Sequence, residues 1–383
     1  MTLPYISDVQ LFLAVLISCA CAVAWLGLSA LAHHRRRNAV PVRVHVAGSR
    51  GKTTTTRMIG AGLRAAGMRV LVKTTGTDPM LILPDGSERP WPRWGPPTIA
   101  EQVRFFREAR RLQVAVVVVE SMAIEPEYLW ASEKYLVRAT HAAITNVRPD
   151  HAEVVGDHPL SAANAISLAI PRRGRLIIAD EAAVEPILVR AAKLDCSVSV
   201  IPIAGLAHDD ANKSLALAVC DALGVDRAIA GPALGKAGSD PGAFFVAAGV
   251  RAGKRFRFAN AFSCNDPVSL RQLWEENNSN DSPIVLLNAR DDRPARTLAF
   301  LEELVKLAPD MRLYLTGSVP RSWAVRAGFT QARIHRLRTS SPTKAVDLLV
   351  DAAGPDGMIW GVGNYSHLGR DIVRLLRSEG LPC

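Results

Sequence analysis

The stretch "VHVAGSRGKTTTTRM", residues 44–58, constrains the fold of this chain more than any other. The residues "VRVHVAG" (42–48) read as a buried strand, a short glycine-bearing loop follows, and 52–67 reads as a helix closed by Gly67. Strand, loop and helix in that order aim backbone N–H groups at one point, which suits a phosphate. The loop ends in Gly51-Lys52-Thr53, like the pattern G-x-x-x-x-G-K-[ST]. The first glycine of that pattern would fall on Val46, however, and the chain instead has Gly48, three residues before Gly51. In this setting the backbone of Gly48, Ser49, Arg50, Gly51, Lys52, Thr53 and Thr54 would cradle phosphates. Lys52 would reach the β/γ-phosphates and the Thr53 hydroxyl would ligate Mg²⁺. The competing reading, a surface turn with a chance G-K-T, is disfavoured by the strand before it and the helix after it.

Strands and helices alternate through the rest of the chain. "VAVVVVE" (114–120) is nearly all β-branched and reads as a central strand covered on both faces. "HAAITNV" (141–147), "GRLIIAD" (174–180) and "VSVIPI" (198–203) repeat the theme, with helical stretches at 98–112, 159–170, 181–193 and 211–223. This punctuation predicts an α/β fold with a mostly parallel, doubly wound sheet. Around "GKAGSDPGAFF" (235–245) the pattern breaks, then resumes with "PIVLLNA" (283–289), "RLYLTGS" (312–318) and "GMIWGVGN" (357–364). The expected domains are an anchor with its basic flank at 1–40, a phosphate-loop domain at 41–255 and a smaller Rossmann-like α/β domain at 256–383. The segment "RPWPRWGPPT" (89–98) reads as an ordered loop beside the first sheet.

Location follows from residues 11–32, "LFLAVLISCACAVAWLGLSALA", which carry no charge. As a helix this run would measure about 33 Å, enough to cross a hydrocarbon core of about 30 Å. "HHRRR" (33–37) comes directly after it, whereas the segment before it carries only Asp8. A signal peptide has its positive charge before the apolar run, and a buried core helix is usually shorter. The reading is a single-pass membrane anchor with the N-terminus outside and the catalytic body in the cytoplasm. The net charge of +10 fits an anionic lipid surface or anionic substrates. No long Lys/Arg run is interleaved with aromatics, so nucleic acid is not expected. The six cysteines form no C-x-x-C pair and no zinc spacing, as expected for a reducing compartment.

Other polar groups stand where strands end. "KTTGT" (73–77) offers Thr75 and Thr77, Glu120 closes "VVVVESMAI", "TNVRPDH" (145–151) brings Asn146, Asp150 and His151, and Asn212 opens the helix "NKSLALAV". Doubly wound sheets bind ligands at such C-terminal strand ends. A carboxylate after four valines fits a metal, although a helix-start carboxylate is the plainer reading of Glu120. His151 could equally be a satisfied core histidine, and Asn212 a simple N-cap. In "NARDDRPART" (288–297), Arg290, Arg293 and Arg296 are either a solvated cluster or a bidentate carboxylate and phosphate site.

Taken in order, G-x-x-G-K-T, T-G-T, E-S, T-N-x-x-x-D-H and N-x-x-L-A resemble the Mur ligase superfamily, whose hallmark is this shortened loop. "GSRGKTTTTRM", "KTTGTD", "VESMA", "ITNVRPDH", "DPGAF", "NAFSCNDPVS", "LNARDDRPART" and "WGVGN", spread over residues 42–364, are similar to the catalytic ligase subunit of poly-γ-glutamate synthases. Like that family, the chain is expected to do without the UDP-binding domain of cell-wall ligases. It also has no lysine in "ANAISLAI" (163–170), where many Mur ligases carry a carbamylated one.

The resemblance implies ATP and two Mg²⁺ ions, one held by Thr53 and Glu120 and the other by His151. It implies catalytic roles for Lys52, Glu120, His151, Asn146 and Arg290, and nucleotide contacts from Asn212, Asn265 and Asp266. Thr75, Thr77, Arg293 and Arg296 would face substrate. The implied reaction joins glutamate through its γ-carboxyl by way of an acyl phosphate. Implied partners are the growing polyglutamate chain and small integral membrane subunits, with a homo-oligomer open. Guanine is disfavoured, because "NKSL" has Leu215 where N-K-x-D has Asp. Three rival readings stand beside this one. They are a tethered ATPase without ligation, a polyanion-binding subunit without nucleotide, and a ligase for another amino acid or a folate-like acceptor.

Overall fold

The computed structural model describes residues 8–76, 79–93, 95–123, 125–148, 158, 160–237, 242–264, 266–277, 283–291 and 293–379. Contacts divide the chain into two compact units, Met1–Gly238 and Ser239–Cys383.

The first unit begins with α1 (Asp8–Asn38), followed by β1 (Val42–Ala47) and α2 (Lys52–Ala65). Its sheet has eight strands, adding β2 (Val70–Lys73), β3 (Met80–Ile82), β4 (Glu88–Pro90), β5 (Val116–Glu120), β6 (His141–Ile144), β7 (Arg175–Ala179) and β8 (Ser197–Ile201). The order is β4-β3-β2-β5-β1-β6-β7-β8, parallel except for the antiparallel pairs β2/β3 and β3/β4. The valines of β5 lie centrally and are fully buried, since both faces of the sheet are covered. Each such side chain contributes roughly 1.5–3 kcal/mol through burial. One face packs Val44, Val46, Val116 and Val118 against Ile59 and Leu63 of α2. The other packs Leu71, Val117 and Val119 against Phe105 and Phe106 of α3 (Glu101–Arg111).

Two strand assignments differ from the sequence reading. Residues 88–90 form the edge strand β4, and Trp91 beside it is buried, so 89–98 is not wholly loop. The strand read at 198–203 is the opposite edge, β8, and four of its five residues are exposed, because nothing pairs beyond it.

The second unit is a six-stranded sheet of order β13-β12-β11-β14-β10-β9. Its strands are β9 (Val246–Arg251), β10 (Lys254–Ala261), β11 (Ile284–Ala289), β12 (Arg312–Gly317), β13 (Ile334–Arg336) and β14 (Gly357–Gly363). Only the edge pair β9/β10 is antiparallel. The strand at 246–251 therefore pairs inside the second unit, ahead of the boundary read at 255/256. Trp360 stacks on Trp274 within the core on one face, at 4.6 Å between ring centroids.

Candidate active site

The strand register assembles the site. Val46 lies beside Glu120 of β5 and Ala47 beside Ile144 of β6, so β1 delivers its loop between the ends of two neighbours. The connection from β1 runs to β2 on one side and that from its neighbour β6 to β7 on the other, which makes this the switch point where doubly wound sheets bind ligands.

Two glycines of the loop are required by geometry. Gly48 has φ +129°, and a Cβ on it would stand 2.1 Å from Thr145 Oγ1. Gly51 has φ +77°, and a Cβ there would stand 2.4 Å from Asn212 Oδ1. A fuller loop residue would collide with the strand end below or the helix beside it. Asn146 braces the loop from β6: its Oδ1 accepts from Arg50 N at 3.0 Å, and its Nδ2 donates to Arg50 O at 3.1 Å. Ser49 N donates to Asn146 O at 3.0 Å, and Thr145 Oγ1 donates to Arg50 O at 2.5 Å. Lys52 Nζ arches over the loop, donating to Gly48 O at 2.7 Å and Ser49 O at 3.2 Å.

The carboxylate after the valine strand is buried and faces this loop. Glu120 Oε1 accepts from Thr53 Oγ1 at 3.0 Å, and Oε2 accepts from Thr75 N at 2.7 Å. Its place at the strand end excludes the plain helix-start reading. Thr53 and Glu120 together present a hydroxyl and a carboxylate, hard oxygen donors of the kind Mg²⁺ accepts beside substrate phosphates. Among the described residues no three His, Cys, Asp or Glu side chains gather as a metal group. Substrate phosphates and water are the usual further ligands of such an ion.

Asn212 is not an N-cap. Its helix spans His208–Ala222, which places Asn212 one turn inside. There Asn212 is buried and its Oδ1 accepts from Thr55 Oγ1 at 3.2 Å, while Nδ2 has no hydrogen-bond partner among the described residues. A buried amide with a spare donor beside a phosphate loop fits a ligand acceptor such as a nucleobase.

In the second unit, Arg290 follows β11 directly and Arg293 is the N-cap residue of the helix Pro294–Leu307, which also carries Arg296. All three are partly exposed. Asp266 caps the helix Pro267–Asn277, accepting from Ser269 N and Ser269 Oγ, both at 2.8 Å. Thr77, Asp150, His151 and Asn265 lie outside the described residues.

Two features escaped the sequence reading. Lys73, the last residue of β2, is fully buried with Nζ 3.0 Å from Glu101 Oε2, and Arg93 Nε binds Glu101 Oε1 at 2.7 Å. Burial lowers the Lys73 pKa from the usual lysine range, against the opposing pull of Glu101. Burial pushes Glu101 up, but Arg93 and Lys73 together hold it below the usual carboxylate range. The pair lies at the end of β2, from which the chain runs directly into Thr74 and Thr75. In the second unit, Asn288 Nδ2 donates to Asn364 O at 2.7 Å and Asn364 Nδ2 returns to Asn288 O at 3.1 Å, locking β11 to β14. The asparagines of "LNAR" and "WGVGN" were the available signal, since a polar residue closing an apolar strand needs a partner.

Comparison with known proteins places this geometry. Residues 46–216 match the Mur ligase middle domain, and residues 246–379 match the poly-gamma-glutamate synthase CapB C-terminal domain. The PGA synthase CapB of Bacillus subtilis (strain 168) is 31% identical over 378 residues, covering 94% of this chain and 96% of that protein. Mycobacterium tuberculosis folylpolyglutamate synthase complexed with ADP superposes with a TM-score of 0.67 at 17% identity, over 93% of this chain and 94% of that one. A bifunctional folylpolyglutamate synthase/dihydrofolate synthase with Mn, AMPPNP and L-glutamate bound gives 0.63 at 17% identity, over 90% and 92%. The two structures share the fold, and the sequence relative carries the family. The chain belongs to the CapB family of poly-γ-glutamate synthases, ATP-dependent amide ligases built on the Mur ligase fold.

Proposed function

We propose that this chain polymerises glutamate through γ-linked amide bonds, using ATP to activate a carboxylate. The observation that carries the reading is the Thr53–Glu120–Thr75 cluster at the phosphate loop, in a chain of this family. A γ-carboxylate oxygen bonds to the γ-phosphorus of ATP as the bridging P–O bond breaks, leaving an acyl phosphate and ADP. The amine of the next glutamate then bonds to the acyl carbon and loses a proton, and phosphate departs. Both reactants are anions, so their approach needs charge neutralised. Lys52 does this from the loop. Bound Mg²⁺, two ions in this proposal, would supply further neutralisation. Thr53 and Glu120 are the residues to hold one ion and His151 the other. Asn146 is a positioning residue, since it holds the backbone of Arg50. Arg290, Arg293 and Arg296 are assigned to carboxylate or phosphate, and Asn265 and Asp266 to the nucleotide. Thr75 and Thr77 border the transferred phosphoryl group. The test is ADP release by the purified chain with each amino acid, with mass analysis of the product. Glutamate dependence and a ladder of glutamyl units are expected. Hydrolysis indifferent to amino acids would mean an ATPase.

Asn212 is assigned to adenine through its spare Nδ2. Asn212→Ala should weaken ATP binding about 5–10-fold, the worth of one hydrogen bond of roughly 1–1.5 kcal/mol. Unchanged affinity by calorimetric titration would remove it from the nucleotide site.

Among the described residues one helix, Val9–Asn38, is long and apolar enough to cross a membrane, and its apolar window is unburied. We assign it as the anchor, N-terminus outside, because the arginines follow the span. Small integral membrane subunits would complete export of the polymer. Protease added outside intact cells should leave residues 40–383 uncut, and cleavage there would reverse the topology.

A further inference from the structure

The end of α1 is docked on the catalytic unit. His33 and Arg37 stand one turn apart on one face and are buried, although the sequence places them in a basic flank. His33 Nε2 lies 2.9 Å from Leu136 O, and Arg37 donates to Tyr135 O at 2.8 Å. The His33 ring also meets Phe106 edge-on, at 5.6 Å between centroids. Leu136 and Tyr135 belong to a π-helical turn, Ser132–Val137, that continues the helix Pro126–Ala131. That turn is tied to the sheet, because Glu133 Oε2 lies 2.9 Å from His45 Nδ1 on β1.

The same two turns carry exposed aromatics. Tyr128, Trp130 and Tyr135 are 54%, 37% and 53% exposed. Trp130 and Tyr135 meet edge to face at 5.4 Å, and Lys134 Nζ lies 4.3 Å from the Trp130 ring centroid and 5.1 Å from that of Tyr135. Single exposed aromatics are ordinary. Their height along α1 is what gives these a meaning. The uncharged run ends at Ala32, so residues 33–37 lie within about 8 Å of its end. The headgroup zone is about 5–8 Å deep on each face of a bilayer. Tyr135 and Leu136 are bonded to helix residues at that depth, where Trp and Tyr concentrate and Lys reaches headgroups.

We propose that Tyr128, Trp130, Lys134 and Tyr135 form an interfacial foot that rests on the bilayer surface beside α1. The catalytic unit then has two membrane contacts and a set orientation. This rests on the assignment of α1 as an anchor, and the experiment separates the two. The full-length chain is reconstituted in phosphatidylcholine/phosphatidylglycerol vesicles, and the emission of Trp130 is taken as the difference between wild type and Trp130→Phe. A headgroup nitroxide lipid should quench that difference about twofold or more. The emission of Trp25, taken likewise with Trp25→Phe, should be quenched by a nitroxide deep in the acyl chain. Quenching of Trp25 with none of Trp130 overturns the foot and leaves the anchor standing. Quenching of neither overturns both. A Trp130 signal that follows the protein-to-lipid ratio instead of the label assigns the patch to a second copy of the chain, and also overturns the proposal.

Discussion

Lys52→Ala is expected to lower glutamate-dependent ADP release by about 10²–10³-fold while the first unit stays folded. The two consequences have separate causes. In the structure the ammonium donates to two loop carbonyls, Gly48 O and Ser49 O. Losing such bonds at a partly exposed site costs about 1 kcal/mol of stability. In the reaction the same group faces the charge that develops between carboxylate and triphosphate, where one preorganised group is worth about 3–4 kcal/mol. Steady-state rates together with a thermal melt decide the matter. A variant that keeps most of its activity would refute the phosphate-loop assignment. One that loses activity by unfolding would make Lys52 a brace of the loop.

Glu101→Gln is expected to cost about 3–5 kcal/mol of stability, because it leaves the buried Lys73 ammonium without its counter-charge. Arg93 is partly exposed and can turn to water, whereas Lys73 is fully buried. The pH dependence gives a second readout. Lys73 already has a lowered pKa in the folded state, and loss of Glu101 lowers it further. Between the folded and unfolded pKa values of Lys73, the unfolded chain binds more protons. Stability of the variant should therefore rise as pH increases through that window. In the wild type, Glu101 has its folded pKa depressed. Its contribution is present above the unfolded carboxylate pKa and is lost as pH falls through the folded one. Denaturant midpoints of the full chain in detergent measure both effects. Lys73→Met combined with Glu101→Gln should recover most of the loss, since an apolar replacement of a buried ion pair is often neutral. A single-variant loss below about 1 kcal/mol would show that Lys73 sheds its proton at little cost.

The chain's local chemistry already determined the alternating α/β pattern, the loop at 48–53 and the apolar helix. Each depends on neighbours within a few residues: β-branched runs, glycine placement, and an uncharged stretch followed by arginines. The family resemblance added the ligase reading through the order of its motifs, and the sequence relative bears that out. Tertiary structure decided which distant groups meet. Thr53 and Glu120 are 67 residues apart and touch only because β1 and β5 are parallel neighbours in one register. Asn212 reads as a helix start by composition, yet the helix His208–Ala222 begins four residues earlier, and packing on α2 buries its side chain beside Thr55. Lys73 reads as the polar end of a strand. Only the fold brings Glu101 to it and makes its burial tolerable. The basic flank shows the same limit, since five consecutive cationic or titratable residues look equally solvated until a helix turns His33 and Arg37 toward a neighbouring surface. Burial and pairing depend on the path of the whole chain, and one-dimensional spacing does not carry that path.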